Sequence, residues 1–321
     1  MRDQLLRQRR NVIVRIEILG SAAGGGFPQW NCNCANCQCL RAGTFQGKPR
    51  TQTQVAVTHD NQQWFLLNAS PDLRLQIEAA RFLRPRTGLR DSPIAGVVLT
   101  SADIDQIAGL LSLRELQPFQ LYCTSSLRRI LQDNSMFGML NRIPNQVAWS
   151  EIQPGQSLPL STIEGTDSGI RCTALSLGTR YPAYVSRENA ASLLPEEALQ
   201  GLIVESSSGG RVAYLPAVPS VDDQLLKRLE IVDLLLFDGT FWSDDELIRV
   251  QGNGQTARQM GHIPVSGKDG SLCRLACLQR PRKVFIHINN TNPMLNESAA
   301  EYREMRSAGW ELAEDGASFE V

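Results

Sequence analysis

Histidine is scarce: the 321-residue chain holds three, His59, His262 and His287. Any mechanism that needs four or five imidazoles is thereby excluded. No run approaches the roughly 18 consecutive apolar residues of a membrane span. Positive charge is not in surplus, with 32 Lys and Arg against 33 Asp and Glu, so a chain built mainly to displace counterions from nucleic acid is excluded too. The opening MRDQLLRQRRN carries basic residues with no apolar stretch behind them, which argues against a secretory signal. A disulfide framework spread through a small secreted domain is also missing. The expected compartment is the reducing cytoplasm.

What is present is a globular composition, 42% hydrophobic and 20% charged, which excludes wholesale disorder. Val12–Ile18 is β-branched and alternating, so it reads as a strand. Gly20 and Gly24–Gly26 follow it, but Pro28 and a cysteine cluster stand where a dinucleotide fingerprint needs a helix, and that reading fails. Gln54–Thr58 and Trp64–Asn68 predict a hairpin turning at Asp60-Asn61. Ser70-Pro71-Asp72 supplies a cap and an N1 proline for a helix over LRLQIEAARFL. IAGVVLT, ending at Thr100, predicts a buried strand, and SADIDQIAGLLSLREL a helix. Strands are expected at 171–177, 202–205, 211–215, 233–238 and 284–288, and helices at 221–229, 271–278 and 296–307. Two β-rich halves with helices suggest two sheets packed face to face. Length alone favours two domains at about 150 residues each. Nothing between 12 and 321 reads as a linker, so one domain is expected, with residues 1–11 as a mobile tail.

Four of the eight cysteines, Cys32, Cys34, Cys37 and Cys39, fall within eight residues. Polar neighbours (Asn31, Asn33, Asn36, Gln38) make an apolar core loop a poor explanation. Cys32, Cys34 and Cys37 have the spacing to converge on one ion, and Zn²⁺ favours tetrahedral thiolate coordination with Zn–S near ~2.3 Å. The fourth ligand is left open between Cys39 and a residue from elsewhere. A site filled by protein ligands is structural.

The second concentration of polar groups is VVLTSADIDQIAGLL, where a buried strand runs through a short loop into a helix. Asp103 and Asp105 there would by themselves be explained by the helix dipole. The layout resembles the metallo-β-lactamase fold, whose motif runs Thr, His-x-His-x-Asp-His, then Gly-Leu. Here Thr100, Asp105 and Gly109-Leu110 match, while Ser101, Asp103 and Gln106 stand at the histidine positions. More specifically, LGSAAGGGFPQWNCNCANC (19–37), NASPD (68–72), IDQIAGLLSLRE (104–115), DGTFW (238–242), GHIPVSG (261–267) and FIHINNTNPMLNE (285–297) are similar to the coenzyme PQQ synthesis protein B family. These stretches run from the first strand to the last helix.

The resemblance implies an α/β fold, an αββα four-layer sandwich, with a metal site at one edge of the sheets and structural zinc in the cysteine loop. It implies a role in making pyrroloquinoline quinone (PQQ), by iron- and dioxygen-dependent oxidation of the tyrosine ring in a peptide-derived glutamate–tyrosine diamino acid. An older proposal for the family is a carrier that helps export the cofactor. The family pattern reads Asp-His where this chain has Asp105-Gln106, and a carboxamide oxygen is a weaker transition-metal ligand than imidazole. Asp105 and His287 remain for a catalytic metal, with Asp103 or Asp238 as further oxygen donors. His287, ending VFIHI, falls where the fold puts a ligand. His262 falls where related phosphodiesterases carry a general acid, and Asp238 is either a cap or a ligand or base beside the metal. His59, beside a hairpin turn, reads as a solvated loop residue.

Three functions compete. The leading one is the iron-dependent oxygenase. A phosphodiesterase-type hydrolase of the same fold, using metal-bound hydroxide, is disfavoured by the shortage of imidazoles. A non-catalytic protein that binds PQQ or a precursor would need basic groups, for which Arg180, Arg258 and Lys268 are candidates. The expected partner is a small molecule, with no nucleic acid and no membrane; a homodimer is left open.

Overall fold

The computed structural model describes residues 14–321; the expected tail, 1–11, lies outside the described residues. Strands β1 (Arg15–Gly20), β2 (Gln54–Thr58), β3 (Trp64–Leu67), β4 (Ile94–Val98), β5 (Phe119–Cys123) and β6 (Val147–Glu151) lie side by side in chain order. A second sheet is formed by β7 (Ser157–Ser161), β8 (Asp167–Gly178), β9 (Leu199–Ser206), β10 (Arg211–Leu215), β11 (Leu234–Asp238), β12 (Arg282–Ile286) and β13 (Trp310–Leu312). The last strand, β14 (Ser318–Glu320), returns to pair with β1 in the first sheet. In each sheet the early pairings are antiparallel and the later ones parallel. The two halves of the chain therefore repeat one plan.

Burial explains the layering. Inward residues of both sheets, such as Ile16, Val57, Phe65, Val204, Tyr214 and Leu236, form one central core. The outer face of the first sheet is covered by helices Leu73–Ala79 and Ser125–Asp133 and the segment 104–114, through Leu73, Leu127, Leu131, Ile107 and Leu110. The outer face of the second is covered by helices Asp223–Leu229, Ser271–Arg274 and Ala300–Ser307, through Leu225, Leu229, Leu275 and Met305. The result is the expected αββα sandwich. β4, β11 and the second half of β12, from Val284, are buried on both faces and read as nearly continuous apolar runs, as parallel strands should. Among the described residues no helix is long and apolar enough to cross a membrane.

Several local expectations need correction. The segment after β4 is one short α-helical turn, Ile104–Ile107, continued as a 3₁₀ helix to Arg114. Gly109 explains the change, since a Cβ there would lie 2.2 Å from the Ser70 carbonyl oxygen, and the backbone must hug its neighbour. The cap of helix Leu73–Ala79 is Asp72, not Ser70; the Ser70 hydroxyl instead accepts from the Asp72 N–H at 3.2 Å. The helices expected at 271–278 and 296–307 shorten to Ser271–Arg274 and Ala300–Ser307, because Asn292, Pro293 and Asn296 build turns ahead of the latter.

Candidate metal and substrate site

Parallel strands bring their C-terminal ends to one edge, where the intervening loops gather polar groups on a rigid frame. Asp238 ends β11, and His287 follows β12 in adjacent register. Asp105 arrives from the first sheet on the turn after β4. Residues separated by up to 182 positions meet there: His287 Nε2 lies 3.0 Å from Asp105 Oδ2. His287 adopts φ 62°, a left-handed conformation that costs a non-glycine residue about 1–3 kcal/mol.

Thr240 organises the pair. Its hydroxyl is 2.6 Å from Asp238 Oδ1 and must donate to that carboxylate. Its oxygen then accepts from His287 Nδ1–H at 2.8 Å. That leaves His287 Nε2 facing a carboxylate oxygen, an arrangement that is favourable only with a proton or a cation bound there. Fixing Nδ1–H on an oxygen is also how a metal-ligating histidine is held in the correct tautomer. His262 Nδ1 donates to Asp238 Oδ2 at 2.8 Å, and its ring stacks on His287 with centroids 5.4 Å apart. Donor atoms of Asp238, His262 and His287 lie within 4.8 Å of one another. The donor set of carboxylates and imidazole suits a first-row divalent ion.

Electrostatics follow from this packing. Burial would raise the Asp105 carboxyl, but the hydrogen bond and charge of His287 outweigh it and hold it below the usual range. Asp103, which accepts from Ser101 Oγ at 2.7 Å, is raised by burial and then by Asp105. Burial would lower His262, yet the charge and hydrogen bond of Asp238 raise it. Gln106 is buried and committed elsewhere: its Oε1 accepts from Asn68 Nδ2 and, at 3.4 Å, from Thr100 Oγ1.

These groups open onto a cavity of about 1030 Å³ lined by Asp103, Asp105, His262 and His287 and by the exposed Arg180, Arg258 and Tyr184. Tyr184 donates to the Ala102 carbonyl at 2.5 Å. Lys268 is exposed and does not line it. His59 is not at the site either, and it is half-buried where the sequence suggests a solvated residue. Its ring packs on Gly169, with Nδ1 shut away from solvent.

The cysteine cluster forms a separate centre. The sulfurs of Cys32, Cys34 and Cys37 converge within 4.8 Å. Cys32 and Cys34 lie on a loop and Cys37 in the helix Ala35–Arg41, while Cys39 is exposed on the outside of that helix. Burial pushes Cys34 up to about 11. For Cys32 burial acts the same way, but hydrogen bonds from Cys34, Cys37 and Asn290 bring it down. Three thiolates this close repel, and a cation among them lets all three ionise. The donor set fits zinc.

Sequence reasoning missed Thr240 and Asn290. Asn290 Nδ2 lies 3.0 Å from Cys32 Sγ, and its only signal is a place three residues beyond His287. The segment is clamped just beyond Asn290 by buried Glu246, which accepts from Thr291 Oγ1 at 2.5 Å and Trp242 N at 2.6 Å. Burial raises this carboxyl from 4.5 to about 7. Between those pH values the folded state holds a proton that the unfolded state releases, so stability falls as pH rises, by roughly 3 kcal/mol in all. Thermal melts at pH 4.5–8 should show Glu246→Gln losing this part of the slope and exceeding the parent above pH 7; parallel slopes would refute the assignment.

A family model described as a β-lactamase superfamily domain matches residues 63–288. Coenzyme PQQ synthesis protein B of Methylorubrum extorquens is 40% identical over 308 residues, covering 96% of this chain and 100% of that one. Its counterpart in Ruegeria pomeroyi is 43% identical over 304 residues, covering 94% and 98%. The crystal structure of Zn²⁺-bound PqqB from Methylobacterium extorquens superposes with a TM-score of 0.87 at 40% identity, covering 96% of this chain and 100% of that one. A diphosphatase of the PhnP family, with a TM-score of 0.66 at 20% identity over 96% of this chain and 98% of that one, shares the fold. Near-complete coverage at this identity, on a β-lactamase-type sandwich, places the chain in the coenzyme PQQ synthesis protein B family.

Proposed function

We propose that this protein acts in PQQ synthesis as a metal- and dioxygen-dependent hydroxylase of the tyrosine ring in a glutamate–tyrosine diamino acid. The observation that carries the reading is the juxtaposition of Asp105 and His287, set on Thr240 and Asp238, with two exposed arginines lining the same cavity. Asp105 and His287 would hold the metal, with Asp238 fixing His287 through Thr240, and the metal when bound supplies activation of dioxygen. One oxygen atom inserts into a ring C–H bond, and the other leaves as water with two electrons and two protons from an added reductant. Arg180 and Arg258 bind the carboxylates of the diamino acid and aim its ring inward. His262, with Nδ1 on Asp238, has Nε2 free to take the phenol proton.

The test is turnover of the Glu–Tyr diamino acid by the full chain loaded anaerobically with Fe²⁺, then given ¹⁸O₂ and ascorbate. The expected product carries one labelled oxygen on the ring. Arg258→Ala should raise KM about tenfold, the worth of one charge-assisted hydrogen bond, with kcat nearly unchanged. An unchanged KM would remove Arg258 from substrate binding. A second reading, a carrier of PQQ or its precursor, is favoured by one observation: Gln106 turns its amide oxygen inward where the family pattern has a ligand. Tight binding of the quinone with no labelled product would establish it over the first.

A further inference from the structure

We propose that Tyr184 is a positioning residue: by bonding the Ala102 carbonyl it holds the segment 179–184 across the cavity as a strap, and with it Arg180 at the ligand. The consecutive residues Leu177 to Tyr184 all line the cavity. They lead out of β8 into an excursion, residues 179–198, that returns to β9. Among the described residues, 179–184 make no backbone hydrogen bond to either sheet; their one backbone bond is a local turn, from the Val185 N–H to the Pro182 carbonyl at 3.0 Å. Tyr181 and Val185 add half-buried apolar contact, and three side chains do the fastening. Tyr181 donates to the Leu194 carbonyl at 2.6 Å, which ties the excursion only to itself. Arg180 donates to the Gln259 carbonyl, on the second-sheet loop that also carries Arg258 and His262. Tyr184 donates at 2.5 Å to Ala102, on the first-sheet turn that carries Asp103 and Asp105. The strap thus hangs between loops of the two sheets, and Tyr184 is its hydrogen bond to the turn that bears Asp105.

A segment with few backbone bonds and little buried area lies at the low-stability end of a fold, so one bond weighs heavily on where it sits. Tyr184 has room to leave its place. It is 43% exposed, and a void of about 110 Å³ beside it is lined by Ile130, Val185 and Leu193. Its hydroxyl suits a standing tether, because burial and then the charge of Asp103 push it up to about 12. It therefore keeps its proton and donates, while the Ala102 carbonyl can only accept. Arg180 gives one guanidinium nitrogen to Gln259, and its other N–H groups remain for a carboxylate. Without the Ala102 bond the strap is fastened on one side only, and a ligand must order it before Arg180 can engage, which weakens binding. The inference rests on the hydroxylase reading for its ligand, and its first measurement uses no ligand.

Cleavage by trypsin after Arg180 requires the strap to lift, so its initial rate in the full-length protein, read by mass spectrometry, tracks the open population. Cleavage after Arg86, in the exposed stretch before β4, is the internal standard. Tyr184→Phe keeps the ring and removes the bond. Loss of one neutral hydrogen bond should raise the open population, and cleavage at Arg180 with it, about three- to tenfold, with cleavage at Arg86 unchanged. Calorimetric titration with the Glu–Tyr diamino acid should then show Kd raised by a similar factor. In an Arg180→Ala background the same substitution should change Kd by less than about twofold, because Tyr184 acts through Arg180. Equal cleavage of the parent and Tyr184→Phe, or a rise at Arg86 as large as that at Arg180, overturns the strap. A full effect of Tyr184→Phe on Kd in the absence of Arg180 overturns the positioning role. A parent chain that does not bind the diamino acid overturns the substrate reading, and the cleavage comparison still decides whether Tyr184 holds the strap.

Discussion

Cys34→Ala is expected to strip the chain of its zinc and to lower the thermal midpoint by roughly 5–10 °C, the scale of losing about 4 kcal/mol or more in a chain of this size. The loop from Ser21 to Cys34 is tied in its first part, Ser21 to Phe27, by backbone hydrogen bonds to Arg50, Thr51 and Ile288, so the metal matters most to the stretch from Pro28 to Cys34. Its apolar support is a small cluster of Ala22, Phe27, Cys37, Ile288 and Leu295. Its polar ties include Arg41, which donates to the carbonyls of Cys32 and Gln29 at 2.5 Å. Metal binding is therefore coupled to ordering this loop. The measurement is elemental analysis beside calorimetry: zinc should fall from one per chain to none. Full zinc content in the variant would show that Cys34 is not a ligand, and loss of zinc with an unchanged midpoint would show that the loop is held without it.

Legibility in the sequence followed the range of the forces involved. The β2–β3 hairpin was readable because short-range alternation and Asp60-Asn61 specify it, and Asn61 does take φ 61°. β4, β11 and the second half of β12 were readable as apolar runs because they are buried on both faces. β13 and β14, three residues each, carry too little pattern to be seen, and they are set by the edges they pair with. The long helix expected after Thr100 broke into a turn and a 3₁₀ segment because Gly109 must pass against Ser70 and Ala69, a tertiary constraint that periodicity does not record. At the site, Asp105, Asp238, His262 and His287 could be named from motifs, and the resemblance, by putting a metal site at one edge of the sheets, anticipated that Asp105, Asp238 and His287 would come near one another. Thr240 could not, since a threonine after Asp-Gly has no distinctive local signature; its importance lies in touching Asp238 and two histidines at once. Arg180 and Arg258 were recognisable as candidates by charge, but only the packing of residues 177–184 against 258–262 brings both to the cavity and leaves Lys268 outside it.

Gln106→His is expected to tighten Fe²⁺ binding by about 10–100-fold and to raise the proposed oxygen-dependent hydroxylation with it, leaving zinc at the cysteine loop unchanged. An imidazole is a stronger ligand for this ion than a carboxamide oxygen, and the chain already holds what a ligating imidazole requires behind it. Thr100 Oγ1 and Asn68 face position 106, and Asn68 is itself fixed by the Thr100 N–H, which donates to its Oδ1 at 2.8 Å, and by Tyr214, whose hydroxyl lies 3.3 Å from Nδ2. One imidazole nitrogen can therefore donate inward to this cluster while the other faces the cavity beside Asp105. The exchange costs the hydrogen bonds that Gln106 now accepts, so the variant should melt slightly lower without metal and regain the loss when Fe²⁺ is added. Anaerobic titration of both proteins, followed by oxygen uptake with the Glu–Tyr diamino acid, measures both effects. Equal, tight iron binding by the two would mean that position 106 is outside the ligand set. Asp105 and His287 would then suffice, with the Asn68–Thr100–Gln106 cluster serving only to close the sandwich beneath them.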